Sequence, residues 1–104
     1  MVDIVKNNLD KIIGACKEHH ILSFYLIGSA TTGNKFNSES DIDFLYRFNK
    51  ETIGEWDYAD HYFDLLFYLE ELFGRKVDLV SEERITNPYF AKRVNETKVK
   101  LYES

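Results

Sequence analysis

With 104 residues, 44% of them hydrophobic and 30% charged, the chain has the balance of a soluble globular protein and room for one domain, residues 1–104. A net charge of −5 offers no general attraction to nucleic acid, and no basic track able to hold a template is visible. A lone cysteine, Cys16, excludes an internal disulfide and a multi-cysteine zinc site, and no apolar run reaches the length of a membrane span.

Asp3 and Lys6 precede any apolar run, so no signal peptide is expected and the expected compartment is the cytoplasm. Val5, Leu9, Ile12, Ile13 and Cys16 then recur at helical spacing, which predicts an amphipathic helix over 3–19 with Cys16 in the core. Residues 21–27 are β-branched and aromatic and predict the first strand. The Gly-, Ser-, Thr- and Asn-rich stretch 28–40 predicts a loop with at most one helical turn, followed by a second strand over 41–48. A long helix is expected from 56 to 73, stopped by Gly74, with a third strand over 75–80. Asn87-Pro88 has the form of an N-cap with proline at the first helical position, opening a helix to 95; a last strand covers 97–102. The order predicts an α/β (α+β) fold: a small mixed sheet with flanking helices.

The residues with chemistry lie at the ends of the predicted strands. Side chains alternate along a strand, so Asp41 and Asp43 share a face while Ile42 and Phe44 point to the core. Two carboxylates so placed are roughly 6–7 Å apart and repel by about 2–3 kcal/mol at an effective dielectric near 20. Asp78, in the apolar run Lys76-Val77-Asp78-Leu79-Val80, would add to that repulsion if it came alongside. Water, a proton, a paired Arg or Lys, or bound cations could relieve it; hard oxygen ligands of this kind suit Mg²⁺ or Mn²⁺. Two such ions could activate an attacking oxygen and stabilise a departing pyrophosphate. Gly28-Ser29 ends the first strand, where glycine allows backbone to approach a phosphate closely. The stretch Gly28 to Lys35 is not a P-loop, because Asn34 separates Gly33 from Lys35 and Phe36 follows the lysine.

Taken together, Gly28-Ser29-Ala30-Thr31-Thr32-Gly33, Ser40-Asp41-Ile42-Asp43-Phe44 and Val77-Asp78-Leu79-Val80 resemble the minimal nucleotidyltransferases of the DNA polymerase β-like superfamily. The closing segment from Val94 to Tyr102 is similar to that family's last helix and strand, so the resemblance spans nearly the whole chain. It implies a polymerase β-like palm fold, with Asp41, Asp43 and Asp78 catalytic and ligating two metal ions. It also implies that Gly28 and Ser29 bind the phosphates of a nucleoside triphosphate such as ATP, with Gly33 and Lys35 beside them. Many relatives carry Arg where this chain has Thr32, which leaves Lys35 or a partner to neutralise the triphosphate. Small members of the family pair with a helical HEPN-type toxin and act as antitoxins, in some cases by moving AMP from ATP onto a toxin tyrosine. The alternatives are an antitoxin that works by occlusion without catalysis, and transfer to a small molecule, such as an aminoglycoside, by a homodimer.

The predicted helix 56–73 has more apolar residues than one face needs. Tyr58, Tyr62, Leu65, Leu66, Leu69, Leu72 and Phe73 form the core stripe. Trp56, Phe63 and Phe67 form a second stripe, either a partner-binding surface or a widening of the core. His19 and His20 end the first helix, where positive charge suits the dipole, and His61 falls on a polar face.

Overall fold

The computed structural model describes residues 1–104, which alternate helices and strands in the expected order. The helices are α1 (Asp3–Lys6), α2 (Leu9–Glu18), α3 (Tyr58–Phe73) and α4 (Pro88–Thr97); the strands are β1 (Ile21–Ile27), β2 (Ile42–Phe48), β3 (Val77–Ser81) and β4 (Val99–Glu103). They form one four-stranded sheet in the order β3-β2-β1-β4, with β2 and β3 parallel and the other pairs antiparallel. The sheet is therefore mixed, as predicted. No helix is long and apolar enough to cross a membrane.

Alternation along the strands gives the sheet two different faces. Phe24 and Leu26 of β1, Ile42 and Phe44 of β2, and Val77 and Leu79 of β3 enter the main core beneath α2 and α3. There they meet Ile12, Cys16, Leu65, Leu69 and Phe73, and the Phe24 and Phe44 rings stack 4.8 Å apart. Cys16 is completely buried, and burial pushes its thiol up to about 12, so it is packing material rather than a nucleophile. The opposite face is covered more thinly. Ile27 and Leu45 pack there against Val94 of α4, which leaves the ends of β2 and β3 uncovered beside that helix.

Several predicted boundaries move for identifiable reasons. The first helix is broken at Asn7-Asn8, because the Asn8 side-chain amide donates to the Ile4 carbonyl at 2.7 Å and competes with the helical ladder. Glu55–Asp57 is a separate 3-10 turn, closed by Asp57 N–H donating to the Gly54 carbonyl at 2.9 Å, so α3 begins at Tyr58 and Trp56 lies off it. Gly74 ends α3 in the left-handed region at φ 63, as its position in the sequence implies. The third strand runs 77–81 rather than 75–80, and the last one 99–103 rather than 97–102, because α4 extends to Thr97.

Candidate active site

β1 leaves the sheet at Gly28, whose φ of 75 is natural for glycine and strained for any other residue. A 3-10 turn over Gly28–Thr31 follows, braced by Thr31 Oγ1 donating to the Gly28 carbonyl at 2.8 Å. The antiparallel register sets Ile27 opposite Asp43, so the turn arises beside that carboxylate. A Cβ on Gly28 would sit 2.6 Å from Asp43 Oδ2, so a larger residue there would have to displace that carboxylate.

The parallel register of β2 and β3 pairs Asp43 with Asp78. Paired residues on neighbouring strands point to the same face, about 4.8 Å apart at the backbone. Asp41 lies just before β2, which begins at Ile42 rather than at 41, and stands near enough for its charge to act on Asp43. Asp43 is half-buried, and its carboxyl is pushed above the ordinary range by burial first, then by the charge of Asp78, then by that of Asp41. Three ion pairs exist in the molecule, Arg47–Glu82, Lys50–Glu83 and Lys100–Glu103, and none involves these aspartates. The salt bridge that could have explained Asp78 structurally is absent.

These side chains could hold a divalent cation: hard oxygen donors, mutually repelling and without a cationic partner. No three His, Cys, Asp or Glu side chains converge closely enough to hold a metal ion by themselves. Beside the aspartates lies a cavity of about 230 Å³ lined by Ile27, Gly28, Asp43, Asp78 and Val80, and from α4 by Phe90, Arg93, Val94 and Thr97. The α4 residues recur at i, i+3, i+4 and i+7, one face of the helix.

Of the residues expected to bind phosphate, Gly28 alone lines this cavity; Ser29, Gly33 and Lys35 do not. Ser29 follows it in the turn and accepts the Gly33 N–H through its carbonyl at 3.0 Å. Gly33, at φ 84, faces Val2, and Lys35, at φ 64, is exposed on the loop. Arg93 was not foreseen, since a basic residue on a short polar helix has no distinguishing local pattern. Arg75 was missed for the same reason. Its guanidinium donates to the carbonyls of Asn37 and Ser40, both at 3.0 Å, and covers the Phe36 ring at 4.7 Å, clamping the loop that delivers Asp41.

A family model described as "Polymerase beta, Nucleotidyltransferase" matches residues 10–104. The chain belongs to this family. It is a nucleotidyltransferase. The chain is also similar to two Methanocaldococcus jannaschii proteins provisionally named protein adenylyltransferase. One, MJ0128, is 35% identical over 88% of this chain and 89% of its own length; the other, MJ1379, is 34% identical over 76% and 75%. Among solved structures, one described as a provisional minimal nucleotidyltransferase superposes with a TM-score of 0.75 at 23% identity, covering 94% of this chain and 95% of that one. A toxin–antitoxin structure with AMP-PNP gives a TM-score of 0.68 at 22% identity, over 93% of this chain and 74% of that one. The Shewanella oneidensis MNT antitoxin complex with a tri-AMPylated HEPN toxin gives 0.63 at 20% identity, over 95% and 72%. At such identities these structures establish the fold of the nucleotidyltransferase.

The second group of expected site residues lies elsewhere. Trp56 is 92% exposed, Phe63 49% and Phe67 59%, so the aromatic stripe is surface and not an enlarged core. The Phe63 and Phe67 rings stack 5.9 Å apart. Tyr58, assigned to the core stripe, is itself partly exposed and edges a hollow of about 440 Å³ with Tyr46, Phe48, Tyr62 and Phe63. That hollow is larger than the one beside the aspartates but is lined by no carboxylate. His61 is not simply solvated: it lies edge-on to His19 and His20, with the Nδ1 atoms of His19 and His61 3.0 Å apart.

Proposed function

We propose that this nucleotidyltransferase moves AMP from ATP to a hydroxyl of a protein partner, a tyrosine of a HEPN-type toxin, and thereby acts as an antitoxin. The observation that carries the reading is the pairing of Asp43 with Asp78, uncompensated, beside the Gly28 turn. The names of the two Methanocaldococcus relatives support adenylyl transfer, and the Shewanella complex supports a HEPN partner.

Two Mg²⁺ or Mn²⁺ ions held by Asp41, Asp43 and Asp78 would neutralise the carboxylates and the phosphates facing them. The backbone of Gly28, which lines the cavity, would let a polyphosphate approach closely, with Ser29 next to it in the turn. The acceptor oxygen bonds to the α-phosphorus as the bond from that phosphorus to the β-bridging oxygen breaks, releasing pyrophosphate. The hydroxyl proton passes to the Asp78 carboxylate, which is exposed and therefore accessible to an incoming acceptor. The reaction is confined to the cytoplasm in this reading, and residues 1–104 act as one minimal domain.

A second reading, neutralisation by occlusion alone, is favoured by the exposed Trp56, Phe63 and Phe67. One experiment separates the two. The protein is incubated with α-labelled ATP, Mg²⁺ and a candidate HEPN-type toxin. Label is expected on a tyrosine of that protein, and none with Asp41→Asn/Asp43→Asn. Label persisting in the double variant overturns the mechanism, whereas toxin neutralisation persisting without label establishes occlusion.

A further inference from the structure

We infer that Arg93 of α4 is the side chain that binds the polyphosphate of the nucleotide, an inference that rests on the nucleotidyl-transfer reading above. Of the nine residues lining the cavity beside Asp43 and Asp78, Arg93 is the sole cation. Thr32 is neutral, and Lys35 is exposed and does not line the cavity.

Arg93 is not committed to the carboxylates it faces. It takes part in none of the three ion pairs. The cavity thus has one acidic wall, Asp43 and Asp78, and an opposing wall bearing a free guanidinium. A triphosphate joined to divalent cations fits between such walls, its metals toward the aspartates and its remaining oxygens toward Arg93.

The position of Arg93 is determined by contacts that do not involve its own side chain. Asn87 caps α4 by accepting from Tyr89 N–H at 2.9 Å and Phe90 N–H at 3.2 Å. One turn beyond, Val94 is buried against Ile27 and Leu45, which locks the helix onto the sheet. The helix also packs against the Gly28–Thr31 turn, so Arg93 and that backbone address the same phosphates. Because Arg93 is exposed, replacing it should leave the fold intact.

The test compares wild type, Arg93→Ala and Arg93→Lys by calorimetric titration with AMP-PNP in Mg²⁺ and, separately, with AMP. Arg93→Ala should weaken AMP-PNP binding by about 10- to 100-fold, the loss typical of one charge-assisted contact, and leave AMP affinity within about threefold. Arg93→Lys should recover part of the loss, and the ligand-free melting temperature should stay unchanged in both variants. Unaltered AMP-PNP affinity in Arg93→Ala, or equal losses for AMP and AMP-PNP, overturns the assignment. Wild type that binds neither nucleotide would instead sink the nucleotidyl-transfer reading itself, and this inference with it.

Discussion

At Asp43 three influences act on one carboxyl: burial, then the charge of Asp78, then that of Asp41. All favour the protonated form, so its value in the folded protein lies above the unfolded one. The folded state therefore holds the proton more tightly, and stability from this residue is lost as pH rises from the unfolded carboxylate value through the raised folded value. At neutral pH the free carboxylate opposes folding. Asp43→Asn should raise the melting temperature of the ligand-free protein by a few degrees, about 1 kcal/mol once solvent screening is allowed for, while eliminating transfer. A melting temperature that falls would mean that Asp43 has a structural partner. His19 behaves in the opposite sense. Burial lowers its value first, Glu18 and Asp64 oppose the shift, and His61 and His20 add to it. The unfolded state thus takes up the proton first as pH drops below the unperturbed histidine value of about 6.5. Stability, followed by thermal melting, should decline as pH falls below about 6.5, and His19→Gln should flatten that decline. An unchanged slope in His19→Gln would remove the histidine cluster as its cause.

At the scale of elements, the loop from Gly28 to Ser40 decides where Asp41 goes, and a residue outside the loop holds it. Arg75, just after α3, ties the Asn37 and Ser40 carbonyls, while the Asn37 side chain caps Glu39 N–H at 2.8 Å. Arg75→Ala removes two hydrogen bonds from a charged donor, a loss of about 1.5–3 kcal/mol before solvent replaces part of it. Faster amide exchange over 36–41 is expected, together with a lower kcat. Amide protection identical to wild type would show that the loop holds itself. The other elements follow from local chemistry that the sequence displays openly. β1 matches its predicted limits, 21–27, because a β-branched and aromatic run is bounded by His20 in a left-handed turn and by Gly28. α4 begins where Asn87-Pro88 requires it to. The first helix was mispredicted because apolar periodicity continued through Asn7-Asn8, and an asparagine's preference for its own backbone overrode it.

At the scale of the whole molecule, the sheet divides two tasks between its faces. One face carries the core beneath α2 and α3; the other, partly covered by α4, carries the aspartates. The outer side of α3 and the turn before it belong to neither. Trp56, Phe63 and Phe67 are exposed there among Glu55, Asp57, Asp60, Asp64 and Glu71, with no Lys or Arg between 55 and 73. Apolar anchors inside an acidic rim favour a basic partner and oppose a second copy of the same face. Phe67→Asp should reduce binding to the partner protein at least about tenfold in a calorimetric or pull-down assay, with the isolated chain melting as before. A variant that unfolds would contradict the exposure of Phe67, and one that binds normally would locate the interface elsewhere.

Composition, alternation and end signals are local, and they were sufficient for the order of elements, the mixed sheet and the glycine turn after β1. The alternation of a strand, with its period of two, was enough to put Ile42 and Phe44 in the core and Asp43 on the other face. That Asp78 stands beside Asp43 depended on the register of two strands separated in the chain by all of α3, which no local pattern encodes. The same holds for Arg93 and Arg75, unremarkable in sequence, whose positions come from where α4 docks and where the loop folds back. Whether Phe63 and Phe67 were core or surface was likewise decided by packing, since helical spacing tells which residues share a face but not what that face meets.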